Sequence, residues 1–264
     1  MNTMIWLPEE IPLAYISQKR IFSSVLKADT AYFEINVGNQ NPERLVIWLH
    51  GSGKSYREMI MLVAPVYVKE MVRRKKEGNS IRVIIPYCLP DLMWMNTSRP
   101  VWNIENYLID ELIPMLVKES NIDSDVRHEV HGYSMGGYAA LRLGLKYNHM
   151  FEKIVAIGAG PLADNFADNV KGDKGFKQEV LRTVYGDNER LYQRSSPYAQ
   201  ALLYQDLIVQ RHVKVDIVIG EYDEALSENL KLDTRLKKLG INSELISVRG
   251  CSHNLYDYVR MHYL

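Results

Sequence analysis

Cysteine is scarce in this chain of 264 residues, which contains only Cys88 and Cys251. Two are too few for a disulfide scaffold, and they lack the paired spacing of a zinc site. Neither sign of charge is in excess, with 32 Lys and Arg against 32 Asp and Glu. Such a balance creates no global field for nucleic acid, an anionic membrane surface or an acidic polymer, so a small-molecule partner is expected. No apolar run approaches the roughly 20 residues of a membrane span. Met1 to Arg20 has no basic region followed by an apolar stretch and meets Glu9 and Glu10 early, so no cleaved signal is expected and a cytoplasmic location is the default. Internal repeats and low-complexity tracts are missing as well. So is a nucleotide-binding P-loop: Gly51-Ser52-Gly53-Lys54-Ser55 resembles the end of one, but Trp48 stands where the pattern needs its first glycine. Lys54 then reads as a solvated loop charge.

What is present is a rhythm of strands and helices. At 47% hydrophobic and 24% charged, the chain reads as one α/β domain over residues 1–264. Arg20 to Leu26 and Ala31 to Val37 suit an antiparallel edge. Leu45 to Leu49, Ser80 to Tyr87, Ile154 to Gly158, Val213 to Ile219 and Ser243 to Val248 are apolar runs of strand length. Helix patterns run from Tyr56 to Lys76, from Asn106 to Lys118 with Pro114 bending it or marking an irregular turn, from Glu224 to Leu239, and from Leu255 to Tyr263. This alternation predicts a mostly parallel sheet with helices on both faces. Residues 161–212 interrupt it with a polar stretch, Asp164 to Lys174, and helical patches at Phe176 to Tyr185 and from Ser196-Pro197. This segment is expected to be a lid or cap inserted within the domain.

The chemistry gathers at Gly132-Tyr133-Ser134-Met135-Gly136, a G-x-S-x-G that follows the short strand Val126 to His131 and precedes an Ala/Leu-rich helix. A serine at a sharp strand-to-helix turn is a nucleophile elbow, in which the glycines omit side chains that would strike the neighbouring strand and helix. A serine hydroxyl needs a base to take its proton and a carboxylate to orient that base. In this architecture the chain order is Ser, acid, His. Asp223, after the next-to-last strand, and His253, in the Gly-flanked loop after the last one, complete that order behind Ser134. Glu221 and Asp216 compete with Asp223. Asp223 is preferred because Asp216 lies inside its strand and Glu221 follows Gly220 directly. His131, upstream of the elbow, is expected to point into packing. The backbone amides of Met135, next to the nucleophile, and of Ser52, in the His50-Gly51-Ser52-Gly53 turn, are placed for an oxyanion hole. Trp94 and Trp102 are candidates for the wall of a substrate pocket.

With these residues in view, the chain resembles the esterase D family of α/β-hydrolases, which includes S-formylglutathione hydrolases, feruloyl and acetyl-xylan esterases and siderophore esterases. The resemblance rests on Tyr107-Leu108-Ile109-Asp110-Glu111-Leu112-Ile113-Pro114, on Gly132 to Tyr138, on Leu145-Lys146-Tyr147 and Phe151, and on Ser196-Pro197, Gly220-Glu221-Tyr222-Asp223 and Ser252-His253. It spans at least Ile21 to Tyr258. It implies an α/β-hydrolase fold and a serine hydrolase of esters or thioesters that needs neither metal nor cofactor. Pro90-Asp91-Leu92-Met93-Trp94 departs from the Gly-rich Pro-Asp segment of many relatives, and nothing assigns the chain to the glutathione-thioester branch.

The expected activity is hydrolysis of a small carboxylic ester or thioester through an acyl-enzyme. The same triad also serves thioesterases and acyltransferases. A binding protein on a retired hydrolase fold is the alternative from a different class. Acyl group, leaving group and oligomeric state are not legible in the residues.

Overall fold

Five consecutive apolar residues have no polar face to turn toward water, and Leu45 to Leu49 are all buried in the third strand of the sheet. The computed structural model describes residues 15–38, 41–53, 56–88, 92–97, 102–169 and 176–261. Its strands are β1 (Ile16–Ser23), β2 (Ala28–Ile35), β3 (Arg44–Leu49), β4 (Ile81–Pro86), β5 (His128–Tyr133), β6 (Phe151–Ile157), β7 (Lys214–Gly220) and β8 (Asn242–Val248). They form one eight-stranded sheet in the order β1-β2-β4-β3-β5-β6-β7-β8. Pairing is antiparallel between β1 and β2 and between β2 and β4, and parallel everywhere else.

Both faces are covered, as a parallel sheet requires. Helices α1 (Tyr56–Lys76) and α11 (Leu255–Arg260) enclose one core with Val46, Trp48, Val83 and Ile85. The opposite core joins Leu45, Ile47, Leu49 and Val130 to α2 (Ile104–Asn106), α3 (Ile113–Glu119), α4 (Met135–Lys146) and α10 (Leu226–Lys238). The helix expected from Asn106 to Lys118 is wound unevenly: between α2 and α3, Tyr107–Leu112 forms a π-helical turn in which Ile113 N–H reaches back to Leu108 O. Pro114 gives a physical reason, since it has no N–H to donate and its ring would crowd the Asp110 carbonyl of a regular α-helix.

Strands β1 and β2 start earlier than their apolar patterns suggest, because β1 carries Lys19 and Arg20 on an exposed edge where charge rather than apolar alternation protects the strand. The polar positions of β2 differ, Asp29 being exposed and Glu34 not. Glu34 is buried and receives two hydrogen bonds from Arg82, at 3.0 and 2.8 Å.

Between β6 and β7, residues 161–212 hold α5 (Phe166–Asn169), α6 (Phe176–Tyr185), α7 (Glu189–Ser195), α8 (Pro197–Leu203) and α9 (Gln205–Gln210). Local chemistry starts two of them: Asn188 accepts from Leu191 N–H at 3.0 Å, and Ser196 accepts from Ala199 N–H at 3.2 Å with Pro197 in the first turn. Much of the expected polar stretch Asp164 to Lys174, together with Lys54, Pro90-Asp91 and the end of the last predicted helix, lies outside the described residues. Among the described residues no helix is long and apolar enough to cross a membrane.

Candidate active site

Ser134 has φ 56° and ψ −117°, a conformation that L-residues rarely adopt. It is held there from both sides. Ser134 N–H donates to Ile157 O at 2.8 Å, and its own carbonyl accepts from Tyr138 N–H at 2.9 Å. The two glycines of the motif make the turn possible: a Cβ on Gly132 would lie 2.1 Å from Gly136 O, and one on Gly136 would lie 1.9 Å from Leu49 O. Strand β5 and helix α4 therefore meet at backbone distance, and the serine side chain stands at the carboxyl end of the sheet.

The loops after β7 and β8 bring the other two expected residues to it. His253 Nε2 lies 2.9 Å from Ser134 Oγ, and His253 Nδ1 lies 2.8 Å from Asp223 Oδ2. The Asp223 side chain has no exposed surface. Burial by itself would raise its pKa, but hydrogen bonds from His253, the Ala225 amide and Tyr258, with the charge of His253, hold the carboxyl below its ordinary range. The competitors are elsewhere. Asp216 lies within β7 beside Lys153 and Lys214, and Glu221 accepts from Gly250 N–H at 3.1 Å. His131 is buried, with Nδ1 2.7 Å from the Tyr67 hydroxyl and Nε2 3.0 Å from Glu129, so it faces α1 rather than the serine.

The turn after β3 rests on the elbow. A Cβ on Gly51 would lie 3.1 Å from Ser134 Cβ, and the Ser52 hydroxyl lies 3.3 Å from Met135 Sδ, so the residues expected to supply oxyanion amides are neighbours. Their turn is braced from below by His50. Burial drives its pKa down to about 4, which keeps the ring neutral. The neutral ring matches its hydrogen bonds: Nδ1 donates to Gly51 O at 2.9 Å, and Nε2 accepts from Cys88 N–H at 3.2 Å.

Trp94, a candidate for the wall of a substrate pocket, is packed in the core beside the turn after β3. It is fully buried, packs edge-on to His50 at 4.9 Å, and donates from its indole nitrogen to His50 O at 3.0 Å. Two successive residues at positive φ, Met93 and Trp94, turn the indole inward. Arg142 of α4 fixes this arrangement, donating to Trp94 O at 2.8 Å and to Glu105 at 2.7 Å. Trp102 is half-buried against the same core. Cavities of about 240 Å³ between Leu162 and α10 and about 480 Å³ beside Arg82 are not lined by Ser134, Asp223 or His253.

Three residues at the site had no signal in the sequence. Tyr258 donates to Asp223 Oδ2 at 2.9 Å, Tyr133 stacks on the His253 ring at 5.3 Å, and Gly158 is placed so that a Cβ would come within 3.2 Å of Asp223 Oδ2. The positive φ of 52° at Gly158 is legible only in the folded chain.

A family model described as "Putative esterase" matches residues 95–258. No curated protein matches the chain. Among solved structures, a ferulic acid esterase is 18% identical with 94% of each chain covered and a TM-score of 0.68. FphF, a fluorophosphonate-binding serine hydrolase of Staphylococcus aureus, is 15% identical over 93% of this chain and 94% of its own, with a TM-score of 0.71. An S-formylglutathione hydrolase from Agrobacterium tumefaciens is 16% identical over 94% of this chain and 91% of its own, with a TM-score of 0.67. At these identities the structural likeness establishes the α/β-hydrolase fold alone.

Proposed function

The chain belongs to this esterase family and is a carboxylic ester hydrolase, and from that premise we propose that it cleaves a small ester or thioester with Ser134, His253 and Asp223 as its catalytic triad. The observation that carries the assignment is the unbroken line from Ser134 Oγ through both ring nitrogens of His253 to the buried Asp223, at 2.9 and 2.8 Å.

In this reading Ser134 Oγ attacks the acyl carbonyl carbon while His253 Nε2 takes its proton. The imidazolium that forms is stabilised by Asp223, whose carboxylate is already ionised and aimed at Nδ1. Negative charge developing on the carbonyl oxygen is met by the amides of Ser52 and Met135. Fixed backbone donors of this kind contribute about 3 kcal/mol apiece to transition-state stabilisation. Collapse of the tetrahedral intermediate breaks the bond to the alcohol or thiol, which leaves with the proton from His253. Water, deprotonated by the same imidazole, then releases the acid and restores Ser134. The stacking of Tyr133 on His253 favours a single ring orientation for both proton transfers.

The test is fluorophosphonate labelling of the native chain and Ser134→Ala, with turnover of a p-nitrophenyl ester series of increasing acyl length. Labelling and turnover are expected to vanish together in the folded variant, while the native series reports the size of the acyl site. A folded native chain that neither labels nor turns over would return the protein to the binding-scaffold class. Dominant transfer to added alcohols in water would make it an acyltransferase.

A further inference from the structure

Asp223 Oδ2 accepts two side-chain hydrogen bonds, one from His253 Nδ1 at 2.8 Å and one from the Tyr258 hydroxyl at 2.9 Å. The same hydroxyl oxygen accepts from Gly220 N–H at 2.7 Å. One fully buried phenol thus ties the last residue of β7 to the carboxylate three positions later. We propose that Tyr258 is a positioning residue of the catalytic machinery, which pins the Asp223 carboxylate to the end of β7 and shares with His253 the charge on Oδ2. This rests on the triad reading above.

The surroundings are shaped for that role. A Cβ on Gly220 would lie 2.4 Å from Cys251 O and 3.1 Å from the Tyr258 hydroxyl, so the space beside the β7 terminus is left to the phenol. The Gly220 N–H polarises the hydroxyl and makes it a stronger donor to Asp223. Tyr133 meets the Tyr258 ring edge-on at 6.1 Å while stacking on His253 at 5.3 Å, so the two tyrosines enclose the Asp223–His253 pair from one side. The titratable groups facing the pair are Tyr133 at the end of β5 and Tyr258 on α11. Asp257 of α11 acts on Tyr133 and on Cys251. Burial pushes both phenols up, so Tyr258 remains a donor across the working pH range.

A carboxylate oxygen that divides its charge between two donors holds an imidazolium less tightly than one with a single donor. Removing the hydroxyl therefore moves the acid limb of the pH–rate profile up, and strengthening the hydroxyl as a donor moves it down. A role confined to packing predicts neither shift.

The experiment is the pH dependence of kcat/KM on p-nitrophenyl acetate for the native chain, for Tyr258→Phe, and for a chain carrying 3-fluorotyrosine at position 258, a stronger donor of nearly the same shape. Tyr258→Phe is expected to lower kcat about tenfold with KM within about twofold, and to move the acid limb up by about half a pH unit. The fluorinated chain should move it the other way with an unchanged melting temperature. Acid limbs that coincide with the native one in both chains would overturn the proposal. If Tyr258→Phe does not fold, the fluorinated chain decides alone, because it keeps both hydrogen bonds. Ser134→Ala separates the two readings: turnover retained there would overturn the triad itself, whereas turnover lost there with unmoved limbs would overturn only the role of Tyr258.

Discussion

Asp223 shows how a single position is specified by several neighbours at once. Its Oδ1 accepts from Ala225 N–H at 2.9 Å and its Oδ2 from His253 and Tyr258, so each oxygen has a definite task. Asp223→Asn would place either an amide nitrogen against His253 Nδ1–H or its oxygen there with the nitrogen facing Ala225 N–H. The first arrangement forces the wrong histidine tautomer, and both remove the charge that the proposed triad uses to stabilise the imidazolium. The expected result is a fall in kcat of about 10⁴-fold with the fold intact, read from steady-state kinetics beside a circular dichroism melt. Activity within tenfold of native would remove Asp223 from the triad.

The elbow helix α4 does more than follow the serine at its N-cap. From its middle, Arg142 reaches Glu105 on α2 and the Trp94 carbonyl, and Glu105 also accepts from Lys146 at 2.6 Å and Tyr147 at 2.7 Å. Burial would raise the Glu105 pKa, but the charges of Arg142 and Lys146 and the hydrogen bonds from Lys146 and Tyr147 bring it down to about 2. Trp94 in turn holds the His50 carbonyl, so the elbow and the turn expected to supply an oxyanion amide are parts of one framework. Breaking a buried pair from one side leaves a charge without its partner, at a cost of about 3–5 kcal/mol. Arg142→Met should therefore lose stability on that scale in urea unfolding, while Lys146→Ala, whose side chain is 34% exposed, should lose under about 1 kcal/mol. Equal losses would show that burial does not set the strength of this cluster.

Acid stability is a property of the molecule as a whole, and its buried or ion-paired titratable groups predict two stages. Burial lowers the pKa of His50 and His128 from 6.5 to about 4. Between those values the unfolded chain binds protons that the folded chain refuses, so stability is complete above about pH 6.5 and falls as pH drops toward 4. Each histidine contributes on the order of 3 kcal/mol to that loss. Glu105 and Glu70 work in the next window. Both are lowered to about 2, so their contribution is present above about 4.5 and is lost as pH falls toward 2. Urea midpoints followed from pH 7 to 3 should begin to fall well before the carboxylates titrate, and His128→Asn should flatten only the upper stage. A midpoint constant down to pH 4.5 would contradict buried, neutral histidines.

Much of this was legible before any coordinates. The turn chemistry of Gly132 to Gly136, the apolar run of Leu45 to Leu49 and the strand-end positions of Asp223 and His253 are encoded in short stretches, because elbow, buried strand and loop each impose their own residue types locally. The bounds of α1 and the start of α8 follow from periodicity and from the Ser196-Pro197 pair for the same reason. Trp94, Tyr258, Tyr133 and Gly158 were not legible in this way. Each acts across 35 or more positions of chain: Tyr258 meets Asp223 over 35, Trp94 meets His50 over 44, and Tyr133 and Gly158 meet a histidine that arrives from the far end of the sheet. The sequence by itself determined the kind of sheet, the tight turn at Ser134 and the chain order of Ser134, Asp223 and His253. Only tertiary structure decided which neighbours orient them, because hydrogen-bond direction and ring stacking exist only once distant strands have been brought into register.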